Sequence, residues 1–149
     1  MRRKLALVAL IAPVLIAAAP DDRPAVQHFR PEGAVGPFSA AVRVGDMLYL
    51  SGAIGRPPDG TLPEGFEAQA RQMMDNVRAA LALAGRGFDD VVRCTVMLEN
   101  MADWPAFNRI YATYFSADRL PARSAFGADG LALGALVELE CQAYAPAGG

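Results

Sequence analysis

The stretch Leu120-Pro-Ala-Arg-Ser-Ala-Phe-Gly127, followed by Gly134-Ala-Leu-Val-Glu-Leu-Glu-Cys-Gln-Ala-Tyr144, carries the clearest periodicity in the chain. Val137, Leu139, Cys141 and Ala143 fall on one face of a strand, and Glu138, Glu140 and Gln142 on the other. One side of this strand is therefore buried and the other is polar. Pro121 sets a rigid approach to Arg123. An arginine entering one strand and a carboxylate on the next are expected to meet across a sheet. Such a pair either grips a small carboxylate with a water beside it or forms a structural ion pair. Glu140, on the same strand face, is the second candidate carboxylate.

Working back toward the N-terminus, the same patterning gives the remaining elements. Val26–Arg30 is a possible short strand. Ala40–Val44 and Met47–Ile54 read as two strands joined at Gly45-Asp46. Ser51-Gly52 lies late in the second, where a glycine marks either a bulge, a close backbone approach or a simple strand end. Gly55–Gly65, with three prolines, is a loop. Phe66, Ala70, Met73, Met74, Val77, Leu81 and Ala84 form one helical stripe, which Gly85 and Gly87 end. Gln69, Gln72, Asp75, Asn76 and Arg78 are expected largely off that stripe. Val91–Leu98 is β-branched and reads as a strand. A second helix is expected to be capped by Asp103, with Pro105 in its first turn and an aromatic stripe from Trp104 to Phe115. Asn108 sits beside that stripe. Two helices covering one face of one mixed sheet make an α+β two-layer sandwich whose other face needs a partner subunit.

Composition narrows the chemistry. At 149 residues the chain is one domain, with 53% apolar and 20% charged residues and a net charge of −2. No basic run lies beyond the first four residues, so there is no footprint for nucleic acid. Of 14 lysines and arginines only Lys4 is a lysine, which excludes Schiff-base chemistry from a domain lacking the N-terminus. One histidine, His28, and two cysteines without CxxC spacing remove most nucleophilic triads and metal arrangements, zinc above all.

Residues 1–19 open with Arg2-Arg3-Lys4 and continue as an apolar run broken only by Pro13. At about 15 apolar residues the run is short for a membrane span, which needs about 20. It reads as a signal peptide, with retention as an N-terminal anchor the alternative. The expected location is periplasmic or secreted. Residues 20–35 form a proline- and charge-rich lead-in, and residues 36–146 the folded domain. An oxidising compartment would allow Cys94 and Cys141 to pair. Their inward positions on apparent strands read instead as buried free thiols.

Six motifs occur in order. They are Gly45-Asp-Met-Leu-Tyr-Leu-Ser-Gly52, Gln69-Ala-Arg-Gln-Met-Met-Asp-Asn76, Asp89-Asp-Val-Val92, Phe107-Asn-Arg-Ile-Tyr-Ala-Thr-Tyr-Phe115, Pro121-Ala-Arg-Ser124 and Val137-Glu-Leu-Glu140. Their succession resembles the Rid family of reactive intermediate deaminases, also described as endoribonuclease L-PSP-like proteins. The resemblance covers roughly Gly36 to Tyr144. It implies a chorismate-mutase-like fold and a homotrimer with clefts between subunits. It also implies hydrolysis of 2-aminoacrylate-type enamines and imines to 2-keto acids and ammonia, without metal or cofactor. On this resemblance Arg123 binds the substrate carboxylate and Glu138 orients or activates the attacking water. Ser51, Gly52 and Asn108 line the pocket. Three positions depart from the family pattern. Phe38 stands where the family has tyrosine, Ala53 where glutamine is frequent, and Ala125 where cysteine is frequent. The pocket is correspondingly less polar. Two other readings stay open: a trimeric binder of small carboxylates that lacks catalysis, and a chaperone-like protein acting through its surface.

Overall fold

The structure, a computed structural model, describes residues 24–58 and 60–146. The apolar head at residues 1–19 and the start of the lead-in lie outside the described residues. Seven strands and two helices follow in the order β1 (Val26–Phe29), β2 (Ala41–Val44), β3 (Met47–Leu50), β4 (Ala53–Ile54), α1 (Phe66–Leu83), β5 (Val91–Leu98), α2 (Trp104–Tyr111), β6 (Ala122–Gly127) and β7 (Val137–Tyr144). They make one mixed sheet in the order β1-β2-β3-β7-β5-β6, with β4 also paired to β7. Only β5 and β6 run parallel; the other pairs are antiparallel. The expected two-layer α+β sandwich is what the chain forms, and its most periodic strand, β7, sits centrally.

Alternation along the strands builds the core. On β7, Val137, Leu139, Cys141 and Ala143 are buried beneath the helices, joined from β5 by Cys94, Val96 and Leu98. α1 buries Ala70, Met73, Met74, Val77 and Leu81 against them, and α2 buries Phe107, Ile110 and Tyr111. Each large apolar side chain removed from water contributes about 1.5–3 kcal/mol. Helix α1 stops as its glycines predict. Gly85 takes φ 68°, its N–H meets the Ala82 carbonyl, and the Arg86 N–H reaches back to Leu81. The opposite sheet face carries Met47 and Tyr49, Arg93, Thr95 and Met97, and Glu138, Glu140 and Gln142, with no element of the described chain over it.

Four expectations need correction. Met47–Ile54 is two strands, interrupted at Ser51-Gly52. Asp103 precedes α2 but makes no side-chain cap; Asn100 instead accepts from the Ala102 N–H and caps the 3-10 turn before it. Gln69 is buried, because its amide donates to the Pro63 carbonyl and accepts from the Leu136 N–H. Finally, Cys94 and Cys141 are not free thiols: they form a disulfide. They are directly opposed residues of the antiparallel β5–β7 pair and both point into the core. Periodicity places each cysteine inward but carries no register, so it cannot bring the two together.

Candidate active site

Arg123 lies at the start of β6, held by its neighbours on α2. Its guanidinium donates to Asn108 Oδ1 at 2.6 Å. The guanidinium carbon stands 4.4 Å from the ring centre of Tyr111, 4.6 Å from Trp104 and 5.6 Å from Phe107. Cation–π contacts of this kind contribute about 0.5–2 kcal/mol each and fix the orientation of the planar fork. The helical spacing of Trp104, Phe107, Asn108 and Tyr111 makes this cradle, since residues three and four apart share a face. Asn108, which the sequence places beside the aromatic stripe, is engaged by Arg123. With its oxygen engaged by Arg123, its amide NH2 remains a donor. Arg123 lines a cavity of about 530 Å³ together with Asn108, Leu120, Pro121 and Ala125. Among the described residues no carboxylate pairs with Arg123.

Tyr111, one of the aromatic stripe, also lines this cavity. Its hydroxyl is buried and finds no hydrogen-bond partner among the described residues. Burial pushes its pKa up to about 12, with the Arg123 charge acting in the opposite direction. Tyr111 is therefore a neutral group at ordinary pH.

Glu138 occupies a second cluster. It is half-buried on β7, opposite Ile54 of β4. A Cβ at Gly52 would collide with its carboxylate, so the glycine is what lets the side chain lie across the strand break. Ser51 donates its hydroxyl to the Ser39 carbonyl at 2.7 Å, leaving its oxygen lone pairs free to accept. Arg30, which the sequence reading did not single out, ties down the preceding loop through the carbonyls of Ala34, Gly36 and Phe38. That loop carries Phe38, 60% exposed. Nothing in the local pattern marks Arg30 for the role, because its partners are backbone atoms.

The two clusters do not meet within one chain. β5 lies between β6 and β7. Across these strands Arg123 aligns with Cys94 and Cys94 with Cys141, so Arg123 points to the helix side. Glu138 alternates with Cys141 and points to the open side. The expectation that arginine and carboxylate face each other across neighbouring strands is thus corrected, and they form no ion pair. Arg123, Asn108 and Ala125 gather around the cavity on the helix side, whereas Glu138 lies against Gly52, next to Ser51, on the open side of the sheet.

A family model described as endoribonuclease L-PSP matches residues 29–145. The chain belongs to that family. Within it, the chain is 38% identical over 120 residues to the 2-iminobutanoate/2-iminopropanoate deaminase of Mus musculus, covering 79% of this chain and 88% of the relative. It is 34% identical over 132 residues to Reactive Intermediate Deaminase A, chloroplastic, of Arabidopsis thaliana, covering 87% and 70%. Among solved structures, RidA from the Antarctic bacterium Psychrobacter superposes with a TM-score of 0.74 at 36% identity, covering 79% of this chain and 98% of that one. The Rid-type resemblance of the six motifs and the architecture of the L-PSP family therefore agree.

Proposed function

We propose that this L-PSP family member hydrolyses reactive 2-imino acids, and the enamines that tautomerise to them, to 2-keto acids and ammonia. Its working form on this reading is a homotrimer in which the Arg123 half of one subunit meets the Glu138 half of the next. The single observation that carries the reading is the Arg123–Asn108 pair, ring-cradled, lining an open cavity. Relatives named for imine deamination support it.

The chemistry follows from the groups available. Arg123 binds the planar carboxylate through paired charge-assisted hydrogen bonds, and the Asn108 amide donates a further one. The protonated imine carbon is already electrophilic, so catalysis needs a held water and a base. Glu138 takes a proton from water as its oxygen bonds to the imine carbon. Glu138 then delivers that proton to the nitrogen of the tetrahedral intermediate. The C–N bond breaks, ammonia leaves, and the remaining hydroxyl becomes the keto carbonyl as its proton is released. Arg123 offers no proton in this sequence, because a guanidinium stays charged throughout. The ribonuclease sense of the family description is disfavoured by the net charge of −2 and the single histidine.

The test is ammonia and keto-acid release from imines generated in situ by an amino-acid oxidase, using wild type, Arg123→Ala and Glu138→Gln. The reading expects acceleration lost in both variants. Arg123-dependent binding of 2-keto acids with no acceleration by wild type would instead identify a carboxylate-binding protein.

The location proposed with this function is outside the cytoplasm. The basic-then-apolar head and the Cys94–Cys141 bridge both suit an oxidising compartment. N-terminal sequencing of the native protein from the extracytoplasmic fraction is expected to start close to residue 20. An intact chain confined to the cytoplasm would overturn export.

A further inference from the structure

The mechanism leaves one polar cluster of α1 without a task. Gln69, Gln72 and Asn76 recur at spacings of three and four, so they share a side of the helix. Asn76 donates its two amide hydrogens to the Ile54 and Arg56 carbonyls, each at 2.8 Å. Its oxygen accepts from Gln72 Nε2 at 2.9 Å, which fixes the way the amide faces. Gln69, 5% exposed, donates to the Pro63 carbonyl at 3.0 Å and accepts from the Leu136 N–H at 2.9 Å.

The segment that Asn76 grips has little else to fix it. β4 is two residues long, pairs only with β7, and its Ala53 and Ile54 side chains are only half-buried. Gly55, directly after it, lies so close to the α1 backbone at Gln69 that a Cβ would not fit. Helix and chain therefore meet there through backbone and amides. The same segment locates the Glu138 carboxylate. Ile54 is the register partner of Glu138, and Gly52 leaves the space in which the carboxylate lies. Leu136, held by Gln69, stands two residues before Glu138 in the chain.

We propose that Gln69 and Asn76, the latter oriented by Gln72, are positioning residues for Glu138. They set the place of its carboxylate by tying β4 and the entry to β7 to α1, from the face of the sheet opposite the carboxylate. The proposal rests on the deaminase reading, in which Glu138 activates water. Arg123 is held by α2 and takes no part in this tie. A fault in the tie therefore slows the chemical step and leaves carboxylate binding intact.

The experiment compares kcat for imine hydrolysis with the Kd of pyruvate, on the full chain. Asn76→Asp keeps the side chain's size and the acceptor for Gln72 but removes both donors to β4 and its exit. It is expected to lower kcat about a hundredfold, the cost of a displacement near 1 Å, with pyruvate Kd unchanged. Gln72→Met, at a half-buried position, removes only the orienting bond. It is expected to lower kcat roughly fivefold, again with Kd unchanged, and it decides alone if Asn76→Asp does not fold. Leu81→Ala opens a core cavity on the same helix; it should lower the denaturant midpoint and leave kcat and Kd of the folded protein as they were. Wild-type kcat in Gln72→Met or in folded Asn76→Asp overturns the proposal. So does a loss of kcat matched by pyruvate affinity, or by an equal loss in Leu81→Ala, since either marks general loosening. A wild type that hydrolyses no imine overturns the deaminase reading itself, whereas turnover retained in the variants overturns only the positioning role.

Discussion

An alanine at position 52 would set a methyl group where the Glu138 carboxylate now lies. The carboxylate must then leave its place over the strand break. Misplacing a catalytic group by about 1 Å costs on the order of a hundredfold in rate. Gly52→Ala is therefore expected to lose imine hydrolysis by about that factor while still binding 2-keto acids through Arg123. Full activity in this variant would show that Glu138 does not act from its observed position. Tyr111 makes a second single-residue prediction. A buried hydroxyl without a partner costs about 1–3 kcal/mol, so Tyr111→Phe is expected to leave stability unchanged or to raise it by about 1 kcal/mol. The pH dependence has a definite sign. The tyrosine ionises near 10 when unfolded and at about 12 in the fold, because burial disfavours the anion. Its contribution to stability is whole below pH 10 and disappears as pH rises through about 12, at up to about 1.4 kcal/mol per unit. Denaturant unfolding of both proteins from pH 8 to 12 should show a gap that widens in favour of the variant above pH 10. Parallel curves would mean that water reaches the hydroxyl.

Between strands, the disulfide is the feature with the largest energetic consequence. Cys94 and Cys141 are 47 residues apart in sequence and join β5 to β7 at the centre of the sheet. Closing a loop of that length in the unfolded chain corresponds to about 4 kcal/mol on the chain-entropy account. The double variant Cys94→Ala/Cys141→Ala is expected to lose about 2–5 kcal/mol of unfolding free energy, read from the denaturant midpoint. Protein isolated from an oxidising compartment whose cysteines both react with a thiol reagent after denaturation would contradict the bridge. The same cysteines show where sequence reading stops. Alternation of Val137 to Tyr144 gave β7 and its faces correctly, and the apolar stripe from Phe66 gave α1 to within a residue of its end. Those signals are local, and each strand or helix carries its own period. Register and strand order come from tertiary pairing, so neither the Cys94–Cys141 contact nor the placement of β5 between Arg123 and Glu138 was legible. Gln69 failed for a related reason. An amide reads as solvent-facing until two distant backbone groups, on Pro63 and Leu136, are seen to need it. The candidate site residues rest on the resemblance that the six motifs carry; the division of Arg123 and Glu138 between two sheet faces was not legible.

At the scale of the whole molecule, that division makes a prediction that no property of a single chain can imitate. If each site takes Arg123 from one subunit and Glu138 from its neighbour, the two inactivating variants damage different halves. Arg123→Ala keeps a sound Glu138 half, and Glu138→Gln keeps a sound Arg123 half. Unfolded together and refolded as an equal mixture, they assemble trimers in which some clefts join the two intact halves. Each cleft requires a particular variant on each side, so random assembly of a closed ring restores roughly a quarter of wild-type activity. The same variants refolded separately and mixed afterwards should stay inactive until subunits exchange, so that recovery follows the exchange rate. A site complete within one chain predicts no recovery under either protocol, because every subunit would carry one broken member.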